Sequence, residues 1–104
     1  MKKVIVITSS PRKGGNSETL ADCFIKGAES AGHSVKKIAV RDLGLQFCTG
    51  CMYCQSHDNC VLGDGMNAVY SEIENSDVIA FATPVYYYAV CGQLKTFLDR
   101  LNPL

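Results

Sequence analysis

Residues 3–17 read KVIVITSSPRKGGNS, and this stretch decides the fold. VIVI (4–7) is an unbroken apolar run of strand length, the pattern of a strand buried on both faces in a parallel sheet. SSPRKGG (9–15) gathers Ser, Pro and Gly, which is loop chemistry. Asn16 or Ser17 offers an N-cap to a following helix. Leu20, Phe24, Ala28 and Ala31 then recur at helical spacing and predict a core-facing stripe, with Gly32 as the stop. Residues 34–40 (SVKKIAV) carry β-branched residues and two lysines, as suits an edge strand. Strand, helix and strand form one βαβ unit, whose crossover is expected to be right-handed.

Working outward, residues 43–65 show no clean period and hold a cluster of cysteines. Met66, Val69, Tyr70 and Ile73 predict a second helix. Residues 77–83 (DVIAFAT) read as a third buried strand, and 84–90 as a loop with three successive tyrosines. Leu94, Phe97, Leu98 and Leu101 mark a third helix. The order predicts an α/β fold, a doubly wound parallel sheet of three strands in one domain spanning 1–104, with all helical stripes, Cys23 and Cys91 in the core.

Ten basic and ten acidic residues cancel without a block of like charge, so no nucleic-acid or membrane surface is expected. The apolar run at 4–7 is too short for a signal peptide or membrane span, and the expected compartment is the cytoplasm. There thiols stay reduced, which places metal, cluster or redox roles for the six cysteines ahead of disulfides. GxSxG is absent, no Ser–His–Asp set or paired carboxylates stand out, and Glu72, Glu74 and Asp99 read as solvated helix faces. No catalytic side chain is expected.

Two segments carry chemistry. In SSPRKGGNS, serine hydroxyls, backbone N–H groups and a helix N-terminus together make an anion site. Gly14 and Gly15 allow close backbone approach, and Arg12 can pair with a phosphate. The stretch is neither GxGxxG nor GxxxxGK[ST], which disfavours dinucleotide-fold and NTPase readings; an ordinary polar turn capping a helix is the alternative. The second segment is Cys48-x2-Cys51-x2-Cys54-x5-Cys60. It is too compact for a zinc ribbon. It has the logic of a ferredoxin-type cluster motif, with buried or redox-sensitive cysteines as the alternative. His57 is read as an exposed loop residue, and His33 carries no signal.

SSPRKGGNS after VIVIT, then the cysteine loop, then FATPVYYYAVCGQLKTFLDR, resembles the NADPH-dependent FMN reductases of the flavodoxin-like superfamily, above all their iron–sulfur flavoprotein branch. The resemblance runs from Val4 to Arg100 and departs at Ser9, where the family more often has Gly. It implies a flavodoxin-like sheet in the order 2-1-3, incomplete at its C-terminus against the family's five strands. It implies FMN, its phosphate held by Ser10, Arg12, Asn16 and Ser17. Pro84, Val85, Tyr86 and Tyr87 would border the isoalloxazine, leaving Tyr88 for packing. Cys48, Cys51, Cys54 and Cys60 would hold a 4Fe–4S cluster, and NAD(P)H would be the co-substrate.

The expected activity is that of a flavin-dependent oxidoreductase passing electrons from NAD(P)H to an acceptor or the cluster. A non-enzymatic FMN or cluster carrier, or an interaction module with a vestigial site, are the alternatives. The third strand would leave an apolar sheet edge open, so a homo-oligomer, dimer or higher, is expected to cover it.

Overall fold

The computed structural model describes residues 1–57, 59–101 and 103–104. Its elements are β1 (Lys3–Thr8), α1 (Asn16–Ser30), β2 (Ser34–Ala39), α2 (Met66–Glu74), β3 (Val78–Ala82), β4 (Val85–Tyr86), β5 (Ala89–Val90) and α3 (Gly92–Asp99), with 3-10 turns at Val40–Asp42 and Tyr53–Gln55. Strands β2, β1 and β3 form one parallel sheet in that order, with Val4 opposite both Val35 and Val78.

The VIVI run is buried on both faces because successive side chains point to opposite sides of the central strand. Ile5 and Ile7 join Met66, Val69 and Tyr70 of α2 and Leu94 and Phe97 of α3 in the larger core. Val4 and Val6 meet Ala21 of α1 on the other face. The sheet is therefore doubly wound, as the pattern predicted.

Helix α1 departs from the predicted stripe. Its inner positions are Glu18 and Ala21, with Ile25 partly buried, whereas Leu20 and Phe24 are 71% and 46% exposed. The cause is the width of the sheet. Leu20 and Phe24 lean past β3 and line an open groove with Ala80, Phe81 and Ala82, where no further strand lies beneath them among the described residues. Cys23, expected in the core, is exposed on the same helix, while Cys91 is buried but occupies the N-cap of α3 rather than its interior. The N-cap of α1 is Gly15, not Asn16 or Ser17. Its far end closes as predicted. Gly32 takes φ +88°, and the N–H groups of Gly32 and His33 return to the carbonyls of Glu29 and Ala28, a Schellman closure.

The tyrosine loop is a short hairpin, with Val85 opposite Val90 and Tyr86 opposite Ala89. Its two turn residues, Tyr87 and Tyr88, both have positive φ (50° and 63°), the hand that matches strand twist in two-residue hairpins. Both are almost fully exposed, so Tyr88 does not pack as expected. Among the described residues no helix is long and apolar enough to cross a membrane.

Candidate functional site

The loop between β1 and α1 is braced from below by a residue the motif reading passed over. Glu18, the third residue of α1, reaches back to accept the Gly14 N–H (3.1 Å), much as in a capping box. The same buried carboxylate accepts from Lys37 Nζ (3.0 Å) and from both terminal nitrogens of Arg41 (3.2 and 3.1 Å). Hydrogen bonds from Arg41, then Lys37, then the Gly14 N–H hold its carboxyl down at about 2, against the opposing effect of burial. Arg41 also reaches the Ser10 carbonyl oxygen (3.4 Å). A glutamate three residues into a helix that follows a Gly-rich turn is the signal that could have found this brace.

Within the loop, the Ser10 hydroxyl donates to the Arg12 carbonyl oxygen (3.0 Å) and accepts the Arg12 N–H (3.2 Å), so Ser10 first shapes the turn. Gly14, at φ +76°, reverses the chain toward α1. The first-turn N–H groups of Asn16, Ser17 and Glu18 take no protein acceptor among the described residues, as expected at a helix start. Arg12 is exposed and makes no ion pair among the described residues, whereas Arg41 and Lys37 are engaged by Glu18.

A buried latch joins this loop to the tyrosine hairpin. Ser9 donates from both N–H (3.0 Å) and hydroxyl (2.9 Å) to the Ala82 carbonyl oxygen. The Cys91 thiol donates to the Ser9 carbonyl oxygen (3.4 Å), and the Cys91 N–H donates to the Thr83 hydroxyl (3.2 Å). The latch sets the two loops side by side at the C-terminal ends of β1 and β3, around an open cleft of about 570 Å³. Ser10, Arg12, Asn16, Ser17, Pro84 and Tyr86 line this cleft. Val85 and Tyr87 do not; Tyr87 is 95% exposed at the hairpin tip. A helix N-terminus with unclaimed N–H groups, an exposed arginine and an adjoining aromatic wall suit a ligand with an anionic end and a flat end. By chemistry, the residues fit a flavin mononucleotide.

The cysteine loop hangs from a buried ion pair. Arg100 grips Asp64 with two hydrogen bonds (2.6 and 2.9 Å) and donates to the Gln46 carbonyl oxygen (2.9 Å). Asp64 also accepts the N–H groups of Gln46 (3.1 Å) and Met66 (3.2 Å). Burial pushes the Asp64 carboxyl up, but Arg100 and these two N–H groups outweigh it, and the net direction is down. Asn67 exchanges hydrogen bonds with the N–H and carbonyl of Cys60 (3.0 and 3.2 Å), tying that cysteine to α2. Cys48, Cys51, Cys54 and Cys60 are free thiols bordering one narrow cavity, whose wall includes Arg100. The set has the right donor chemistry for an iron–sulfur group. Among the described residues, however, no three His, Cys, Asp or Glu side chains are close enough to close round a metal ion. His57 is exposed as expected and stacks on Tyr53, ring centroids 3.8 Å apart.

Known proteins share this architecture. The structure superposes on an NAD(P)H:quinone oxidoreductase from Methanothermobacter marburgensis with a TM-score of 0.79 at 17% identity, covering 96% of this chain and 52% of that one. An azoreductase from Bacillus anthracis gives 0.73 at 18% identity, over 98% and 56%. At such identities the likeness establishes the fold, which is flavodoxin-like. In sequence, the chain is 39% identical to an iron-sulfur flavoprotein of Archaeoglobus fulgidus over 97% of its own length and 46% of the relative's. It is 32% identical to one of Methanocaldococcus jannaschii, over 98% and 53%. The chain thus spans about half the length of the curated relatives it matches. The family model for NADPH-dependent FMN reductase matches residues 2–103, and the chain belongs to that family.

Proposed function

We propose that this chain forms the FMN-holding part of an NAD(P)H-dependent flavin oxidoreductase. The observation that carries the reading is the cleft itself. It lies outside the carboxyl ends of β1 and β3, where the chain passes from one side of the sheet to the other and where open α/β sheets place their ligands. When bound, FMN supplies hydride acceptance and onward electron transfer. The protein's part is to bind and orient. The first-turn N–H groups of α1, the hydroxyl of Ser17, the amide of Asn16 and the Arg12 guanidinium hold the phosphate, while Ser10 keeps the turn that presents them. Pro84 and Tyr86 wall the flat end. Val85 and the Tyr87 tip extend that wall, which asks the hairpin to fold inward. The Ser9–Thr83–Cys91 latch fixes the separation of the two loops, and with it the register between phosphate and ring.

In the same reading, Cys48, Cys51, Cys54 and Cys60 hold a 4Fe–4S cluster. Four thiols on one cavity wall support this, and loading then requires the loop to draw the sulfurs inward. The exposed edge of β3, with Val78, Ile79 and Phe81 open beside Leu20 and Phe24, takes a second copy of the chain.

The test is the visible spectrum of anaerobically prepared protein before and after NADPH. Oxidised flavin bands that bleach on adding NADPH support the oxidoreductase. Flavin bands that persist with both NADPH and NADH, yet bleach with dithionite, would make the chain an electron carrier instead.

A further inference from the structure

Among the described residues, one buried side-chain donor atom finds no partner. Arg100 is 1% exposed, and its Nη1 donates to Asp64 and Gln46 and its Nη2 to Asp64, yet its Nε–H has no hydrogen-bond acceptor among the described residues. Leaving a buried donor unpaired is costly, the more so when the group is charged. Such a group calls for a missing acceptor. Arg100 stands in the wall of the cavity bordered by Cys48, Cys51, Cys54 and Cys60, and Cys60 adds to the field, led by Asp64, that keeps the guanidinium charged. The bidentate Asp64 grip fixes the plane of the guanidinium and hence the direction of its Nε–H.

We infer that Arg100 is a positioning residue for the cysteine site: Asp64 orients its free Nε–H to donate to a thiolate sulfur of an iron–sulfur group held by the four cysteines. The inference rests on the cluster reading above and goes beyond it. A hydrogen bond and a fixed positive charge at the sulfurs stabilise the more negative state and raise the reduction potential. An arginine that merely staples the loop through Asp64 would leave that potential alone.

The experiment uses the whole chain, reconstituted anaerobically with ferrous iron and sulfide and titrated with dithionite under EPR detection. Arg100→Lys keeps a cation beside Asp64, so no buried carboxylate is abandoned, but removes the planar fork and its Nε–H. Iron content is expected to match the wild type, and the equilibrium constant for reduction to fall about tenfold, a midpoint about 59 mV more negative for a one-electron couple. An unchanged midpoint at equal iron content overturns the assignment while leaving the cluster standing. Wild-type protein that takes up no iron overturns the cluster reading, and the role of Arg100 with it. Should Arg100→Lys fail to fold, wild-type protein labelled with 15Nε-arginine decides. The reduced cluster is expected to show one arginine 15N hyperfine coupling, and its absence from iron-loaded protein overturns the assignment.

Discussion

Glu18 illustrates how a single charged side chain shapes a site it does not line. Its carboxylate accepts from the backbone of the loop above and from two cations beside it, and it is buried at the foot of α1. Its pKa in the fold, about 2, lies below the ordinary 4.5, so the stabilisation it brings is complete above pH 4.5 and drains away as pH falls toward 2. Glu18→Gln should therefore lower stability at neutral pH and flatten the acid side of the stability curve, both read by circular dichroism melts across pH 2–7. An acid limb identical to that of the wild type would show that the brace carries no such linkage. At this scale the sequence was partly legible. Ser10, Arg12 and Ser17 announced an anion site by their types, Asn16 was added by the family resemblance, and all four line one cleft. Glu18 carried only its local capping signal, and its partner Arg41 lies 23 residues away; Arg100 and Asp64 were silent because they meet across 36 residues, which no local pattern encodes.

Among the elements, β1, α2 and α3 were readable because their apolar periodicity matches a core that exists on both sides of the sheet. Helix α1 was misread for the converse reason. Period alone cannot say which of two neighbouring stripes faces the sheet, and here the more apolar stripe faces a groove beyond β3. The 43–65 loop had no period to read, and it is organised instead by backbone fit and buried polar bonds. Gly65 closes its neck, donating its N–H to the Leu43 carbonyl oxygen (3.1 Å). A Cβ added at Gly65 would lie 2.8 Å from that oxygen and 3.0 Å from Leu43 Cα, both backbone atoms that cannot swing aside. Gly65→Ala is expected to cost roughly 1–3 kcal/mol by overpacking. That corresponds to a melting temperature lower by about 4–8 °C per kcal/mol in a domain of this size. A variant melting with the wild type would show that the neck has slack.

On the scale of the whole molecule, β3 is an outer strand of the sheet among the described residues, and its apolar side chains Val78, Ile79 and Phe81 are exposed. The lone strand edge and the groove beside Leu20 and Phe24 are the surface on which we place the second copy. Light scattering at micromolar concentration should give a mass of twice the 11.3 kDa chain or more, and a monodisperse monomer would contradict that placement. This feature was legible in the sequence as an edge without cover, because a strand that is apolar throughout belongs in the middle of a sheet.

We place the phosphate of a flavin in the grip of the loop from Ser9 to Ser17. Titrating flavin-free protein with FMN and with riboflavin, followed by quenching of flavin fluorescence, separates that grip from ring binding. Two charge-assisted hydrogen bonds of about 1.5–3 kcal/mol each predict FMN bound at least about a hundredfold more tightly, with most of the difference lost in Arg12→Ala. Equal affinity for the two flavins would mean that the loop does not hold the phosphate.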